Sequence, residues 1–372
     1  MGFSSLYDYI LAHPSSLLKR FVRLLEPADQ RCLKRLAGRS ASLTRQHFGK
    51  TMRMFAPLYL SNECINSCAY CGFSRENAIL RVTLEIQEVA EEARHLATQG
   101  FRSLLLVAGE HPKFVSQGYL EQCVRLIVRE IPSVSLEVAP MEIAEYQKMT
   151  QAGAEGLVLY QETYHRPTYA ETHLFGPKKN FEWRLDGPER AYQAGFRRLG
   201  VGALYGLWKW QEEAVALAAH IEYLLRVCWK AQLTLSLPRL CPATGGFSPP
   251  YPISDREFIQ LLCALRLTFP YVGIVLSTRE SSQLRDVLAM MGVTHMSAGS
   301  HTDPGGYTGQ GVTRLQQHHT PAAMHSTLEG STGRLSATEQ FSLSDSRTPA
   351  EVSKRLIELG LDPIWKDWET IV

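Results

Sequence analysis

Eight short apolar runs recur along this chain, and a longer stretch with helical periodicity lies between most consecutive pairs. The runs fall at 55–60, 103–108, 134–138, 156–160, 198–202, 232–237, 272–277 and 295–298 and read as strands. The helical stretches fall at 84–99, 118–130, 142–152, 187–195, 211–228, 254–268 and 280–291. LLLVA, GLVLY and VGIVLS are apolar on both faces, as parallel strands covered by helices must be. Strand-then-helix alternation implies right-handed crossovers and a parallel sheet. Eight such units predict an α/β fold, a closed (β/α)8 barrel of the TIM type rather than an open doubly wound sheet.

The expected organisation is a helical N-terminal extension over 1–50 with a turn near Glu26-Pro27, a barrel core over 51–300, and a C-terminal region over 301–372. Within the last, 301–348 is rich in Ser, Thr, Gly, Gln and His and lacks apolar periodicity. A flexible polar loop is expected there, its histidines His301, His318, His319 and His325 reading as loop residues before metal ligands. A helix over 349–359 then leads to DPIWKDWETIV, expected to pack back on the barrel.

Hydrophobic residues make up 45% of the 372, enough for a core of that size, and the net charge of +2 gives no pull toward nucleic acid or an anionic membrane. No run approaches a membrane span, and the opening MGFSSLYDYILAHPSS, with Asp8 in its only apolar run, lacks the pattern of a secretory signal. Eight scattered cysteines suit a reducing cytoplasm rather than a disulfide framework.

Three of those cysteines fall together. Cys64, Cys68 and Cys71 lie in SNECINSCAYCGF, directly after the first expected strand. Barrels of this kind place their active sites where the strands end. The residues following the other runs are Gly109-Glu110-His111, Pro140, Gln161-Glu162, Gly202, Pro238-Arg239, Thr278-Arg279-Glu280 and Gly299-Ser300. Three thiolates on one short loop can hold three irons of a [4Fe–4S] cube and leave the fourth iron open to a ligand. Structural zinc would want a second cysteine pair, and none stands nearby.

CINSCAYC is similar to the Cys-x3-Cys-x-aromatic-Cys signature of the radical-SAM superfamily. LTRQHFGK, APLYLSNECINSCAYCGFS, LLLVAGEH, LVLYQETYH, FEWRL, LPRL, LSTRE, SAGSHTDPGGY, EQF and GLDPIWKDW resemble the aromatic-amino-acid lyases of that superfamily, above all the tyrosine lyases of anaerobic thiamine biosynthesis. The resemblance implies a [4Fe–4S] cluster on Cys64, Cys68 and Cys71 that reductively cleaves S-adenosylmethionine to methionine and a 5′-deoxyadenosyl radical. That radical would take hydrogen from the amino group of L-tyrosine, and the Cα–Cβ bond would break to give p-cresol and 2-iminoacetate (dehydroglycine). It also implies two partners, thiazole synthase and an electron donor of the flavodoxin or ferredoxin type.

Residue roles follow from the same resemblance. Tyr70 would pack on the cluster loop or the adenine, and Gly109-Glu110 would receive the methionine amino group, with Ala108 replacing a glycine of the usual motif. Glu137, Gln161 and Glu162 would face the adenosyl group or the substrate. An acid inside an apolar strand is costly unless paired, which favours a functional position over a structural one. Arg184 is a candidate for a carboxylate of cofactor or substrate, against a plain surface salt bridge. Arg279 is the candidate for the tyrosine carboxylate, with Ser297 beside it, and Gly202 and Gly206 would admit the adenine. His111 is a proton relay or a loop residue. Two departures stand out: Cys241 occupies a position where an arginine is expected, and the 309–336 segment is longer than the pattern. The alternatives are a tryptophan lyase, a hydrogenase-maturation tyrosine lyase and a cluster-bearing redox sensor. The maturation enzymes carry a second cluster on C-terminal cysteines, and this chain has none after Cys263.

Overall fold

The computed structural model describes residues 11–309 and 338–365. Eight parallel strands close into a barrel: β1 (Thr51–Ser61), β3 (Ser103–Ala108), β4 (Ser133–Glu137), β5 (Gly156–Val158), β7 (Arg198–Gly202), β8 (Gln232–Ser236), β9 (Gly273–Leu276) and β10 (His295–Ser297), which pairs back onto β1. The eight expected runs all supply strands. The first starts earlier than expected, because TMRM alternates in polarity instead of forming an apolar run. Alternation sorts the side chains: Met52, Met54, Ala56, Leu58 and Leu60 of β1 enter the shell of helices, while Phe55, Pro57 and Tyr59 line the interior.

The helices α3 (Ile86–Thr98), α4 (Gln117–Ile127), α5 (Ile143–Ala152), α8 (Gly187–Gln193), α9 (Trp210–Val227), α10 (Asp255–Thr268) and α11 (Ser282–Ala289) correspond to the expected helical stretches. Capping boxes set three of their starts, Glu85 with Glu88 for α3, Glu142 with Glu145 for α5 and Ser254 with Glu257 for α10. Strict alternation fails most in the middle of the barrel. Between β5 and β7 the chain inserts α6 (Arg166–Thr172), a short strand β6 (His173–Phe175), a 3-10 turn (Pro177–Lys179) and α7 (Phe181–Leu185) before α8. Strand β6 pairs antiparallel with β2 (Ser67–Cys68) and so grips the cysteine loop.

Helices α1 (Ser16–Leu24) and α2 (Gln30–Phe48) precede the barrel and pack on α9 and α10. At the other end α12 (Pro349–Glu358) leads to β11 (Asp362–Ile364), which pairs parallel with the start of β1, and Trp365 meets Phe101 edge-on at 4.9 Å. The segment from 338 to 347 crosses the opposite, C-terminal mouth of the barrel. Gly72 N donates to Gln340 O at 3.1 Å, Gln340 N to Thr302 O at 3.0 Å, Ser342 N to Pro242 O at 2.9 Å, and Ser344 N to Thr278 O at 3.0 Å. The expected 309–336 loop, apart from Gly309, and His318, His319 and His325 with it, lies outside the described residues.

Candidate active site at the barrel mouth

The cysteine loop begins where β1 ends. Asn62 fixes its base, donating Nδ2 to Leu80 O at 2.8 Å and accepting from Val82 N at 2.6 Å. A Cβ on Gly109 would collide with Glu63 O, so glycine lets the end of β3 lie against this loop. Ile65 N donates to Glu110 O at 2.8 Å. Asn66, between the first two cysteines, donates Nδ2 to the Glu110 carboxylate at 2.7 Å and accepts from Lys178 N at 2.9 Å. Cys71 N donates to Cys68 O at 3.2 Å, which closes the loop into a tight turn.

All three thiols are free. Burial pushes Cys68 up to about 12 against the pull of Lys178, and burial with the neighbouring Cys64 raises Cys71, so both stay protonated until a metal displaces the proton. Among the described residues no three His, Cys, Asp or Glu side chains converge on a single-ion site. Thiolates that each bind a different iron of a cube stand apart and need not converge on one point, so the three-thiol donor set suits a [4Fe–4S] cluster better than a lone ion.

Beside the loop lies a buried ionic network. Among the described residues Glu162 is the one non-glycine residue with a left-handed backbone, φ 70°. Burial alone would raise its carboxyl, yet Lys178 at 2.7 Å and Arg184 at 3.4 Å hold it below the usual range. Arg184 also donates Nε to Tyr160 O at 2.6 Å, so it is a buried partner of Glu162 and not a surface salt bridge. His173 gives its Nδ1 proton to Tyr169 O at 2.8 Å, which leaves Nε2 to accept from the Tyr70 hydroxyl at 2.8 Å. Burial and the nearby Lys178 charge hold His173 down at about 3, so it stays neutral.

Inside the mouth a cavity is walled by Phe55, Tyr59, Leu105, Val107 and Tyr160, with Glu137, Arg279, Ser297 and Ser300 as polar lining. The Arg279 guanidinium lies 3.3 Å from the centroid of Phe341, on the segment that crosses the mouth. Ser297 and Ser300 each bury a hydroxyl that has no hydrogen-bond partner among the described residues. Burial, then Glu162, pushes Glu137 up to about 7 against the pull of Arg279. Tyr59 donates to Gln340 Oε1 at 2.8 Å, and Gln340 Nε2 reaches Cys71 Sγ at 3.8 Å, linking cavity and cysteine loop.

The structure therefore gathers Glu137, Arg279 and Ser297 in one cavity, Tyr70, Glu162 and Arg184 in the network beside it, and Gly109-Glu110 against the cysteines. Two expected residues face the protein itself. Gln161 donates Nε2 to Phe181 O at 3.3 Å, and a Cβ on Gly202 would meet Tyr160 at 2.9 Å and clash with Ser236 O. His111 accepts at Nδ1 from Lys113 N at 3.3 Å and Phe114 N at 3.4 Å and so shapes its own turn. Asn66, His173, Lys178 and Gln340 were not expected at the site, and no local pattern assigned any of them a role.

Comparison with known proteins agrees with this geometry. The family model of the Radical SAM superfamily matches residues 58–220, and that of the Biotin and Thiamin Synthesis associated domain matches residues 236–362. The chain is 40% identical to 2-iminoacetate synthase of Escherichia coli (strain K12) over 348 residues, 93% of this chain and 86% of that protein. It is similar to the FeFe-hydrogenase maturase HydG from Carboxydothermus hydrogenoformans, with a TM-score of 0.81 and 33% identity, covering 98% of this chain and 83% of that one. Methylornithine synthase (PylB) shares the fold at a TM-score of 0.72 and 20% identity, covering 96% of this chain and 97% of that one. Identity of that extent, on a barrel whose mouth carries the three thiols, means that the chain belongs to the 2-iminoacetate synthase family of radical-SAM enzymes.

Proposed function

We propose that this chain cleaves the Cα–Cβ bond of L-tyrosine to p-cresol and 2-iminoacetate for thiamine thiazole synthesis. The observation that carries the reading is the cavity beside the cysteine loop, aromatic and apolar along its walls and charged where an amino acid would be held. Cys64, Cys68 and Cys71 hold the [4Fe–4S] cluster. When bound, the cluster and S-adenosylmethionine supply the carbon radical that takes hydrogen from the substrate nitrogen. Gly109-Glu110 takes the methionine end of S-adenosylmethionine, and Glu162, braced by Lys178 and Arg184, stands with Tyr70 at its adenosyl end. Arg279 grips the tyrosine carboxylate, since a guanidinium offers two parallel donors, and the unpartnered Ser297 hydroxyl adds a third. Phe55, Leu105 and Val107 flank the ring. The 338–347 segment keeps water from the radical and from the imine product.

An imine hydrolyses in water, so the product passes to thiazole synthase, and a flavodoxin or ferredoxin supplies the electron. Among the described residues no helix is long and apolar enough to cross a membrane. The test is an anaerobic assay of the reconstituted protein with tyrosine and tryptophan side by side. Tyrosine should give p-cresol and 5′-deoxyadenosine in step. An indole product from tryptophan with no p-cresol from tyrosine would reassign the substrate, and no 5′-deoxyadenosine from either would leave only a redox role.

A further inference from the structure

Two opposite charges line the same cavity without meeting. Arg279 follows β9 and Glu137 ends β4, on opposite sides of the barrel. Arg279 stacks on Phe341 and donates NH1 to Arg239 O at 3.4 Å. Among the described residues no hydrogen bond or ion pair engages the Glu137 carboxylate. The other acid of the lining, Glu280, is taken, accepting from Arg239 Nε at 2.9 Å and from its NH2 as well. Glu137 thus stands in an enclosed, largely apolar chamber with no cation in direct contact, feeling Arg279, Arg184 and Lys178 only from farther off, an arrangement that costs free energy until a ligand supplies a closer one.

We infer that Glu137 receives the α-amino group of the substrate, so that Glu137 and Arg279 together read the amino-acid zwitterion. This rests on the tyrosine-lyase reading above and deepens it. An amino acid carries its cation and its anion on one carbon, and a positive and a negative side chain facing each other across a gap match that pair. The phenol does not suit Glu137 as well: it is neutral, it lies a ring's length from the carboxylate, and Tyr160, whose hydroxyl donates to Ser236 Oγ at 3.1 Å, offers a neutral polar group for it. The nitrogen is also the reacting atom, so a fixed acceptor beside it sets the geometry of hydrogen abstraction. Burial and Glu162 hold the Glu137 carboxyl up at about 7, a level from which an arriving ammonium would draw it back to the ionised form.

The test compares tyrosine with 3-(4-hydroxyphenyl)propanoate, which lacks only the amino group, for equilibrium binding to the reconstituted holoenzyme in the presence of S-adenosylmethionine. A charge-assisted contact predicts that the native enzyme prefers tyrosine by about ten- to a hundredfold, and that Glu137→Gln cuts this preference to within about threefold. Affinity for the desamino compound and for S-adenosylmethionine should stay as in the native enzyme. A Glu137→Gln enzyme that keeps the native preference, or that loses S-adenosylmethionine while keeping it, overturns the inference. Should that variant lose its cluster, the native protein still decides: equal affinity for the two ligands sinks the inference without any substitution. Native p-cresol formation is scored separately, so failure of the lyase reading is told apart from failure of this one.

Discussion

Arg279 lays its guanidinium on Phe341, makes a long hydrogen bond to Arg239 O and also engages the Cys241 thiol. These contacts hold the guanidinium in place at the cavity wall. Cys241, where an arginine was expected, turns its thiol to Arg279 O at 3.8 Å, so no second guanidinium stands there to share an anion. Arg279→Lys keeps the charge but loses the fork and the stacking. Tyrosine binding should weaken about tenfold or more, and 5′-deoxyadenosine should form without matching p-cresol, as quantified in parallel. Unchanged affinity with a one-to-one product ratio would free Arg279 from this role. Arg279 was legible because it follows an apolar run, Glu137 because an acid stands inside one, and Ser297 through the family resemblance. Asn66, Lys178 and Gln340 were not. Their partners Glu110, Glu162 and Cys71 lie 44, 16 and 269 positions away, and no local pattern records such meetings.

Among the elements, the segment over the mouth depends on one buried ion pair. Asp345 is paired with Arg285, which is 0% exposed, and with Arg347 at 2.7 Å. Arg285 also donates to Ser297 O, so the same guanidinium ties the segment to the end of β10. Asp345→Ala would leave Arg285 buried without its counter-charge, a loss of about 3–5 kcal/mol in stability read by denaturant unfolding. Water should then reach the site, and 5′-deoxyadenosine formation should outrun p-cresol. A loss below about 1 kcal/mol would mean that Arg285 finds another partner. Periodicity made the barrel strands and outer helices readable, since each buries a full face. The β2–β6 pair was hidden for the opposite reason: two or three residues are too few to show a period, and their pairing serves the cysteine loop, not the core.

The whole molecule carries a pH dependence that its net charge of +2 does not announce. His220, on α9, is buried and meets the Tyr164 hydroxyl of the loop after β5 at 2.9 Å. His295 lines the lower end of the barrel interior. Burial holds His220 down at about 3; burial with the guanidinium groups of Arg53, Arg198 and Arg266 holds His295 down at about 3 as well. Both are neutral in the folded chain at every pH where the barrel is expected to stand. In the unfolded chain each titrates near 6.5, so below that pH the unfolded state binds more protons. The stability these neutral histidines contribute is thus whole above about pH 6.5 and is lost as pH falls toward 3, by about 1.4 kcal/mol per pH unit for each. Anaerobic urea unfolding across that window should show the midpoint falling with acidity, and His295→Gln should remove about a third of the slope that His220, His295 and the likewise depressed His173 account for. A midpoint that held steady from neutrality down through the lower end of that window would mean that the barrel opens to solvate these histidines before it unfolds, and that its lower end is less closed than the pairing of β11 with β1 suggests.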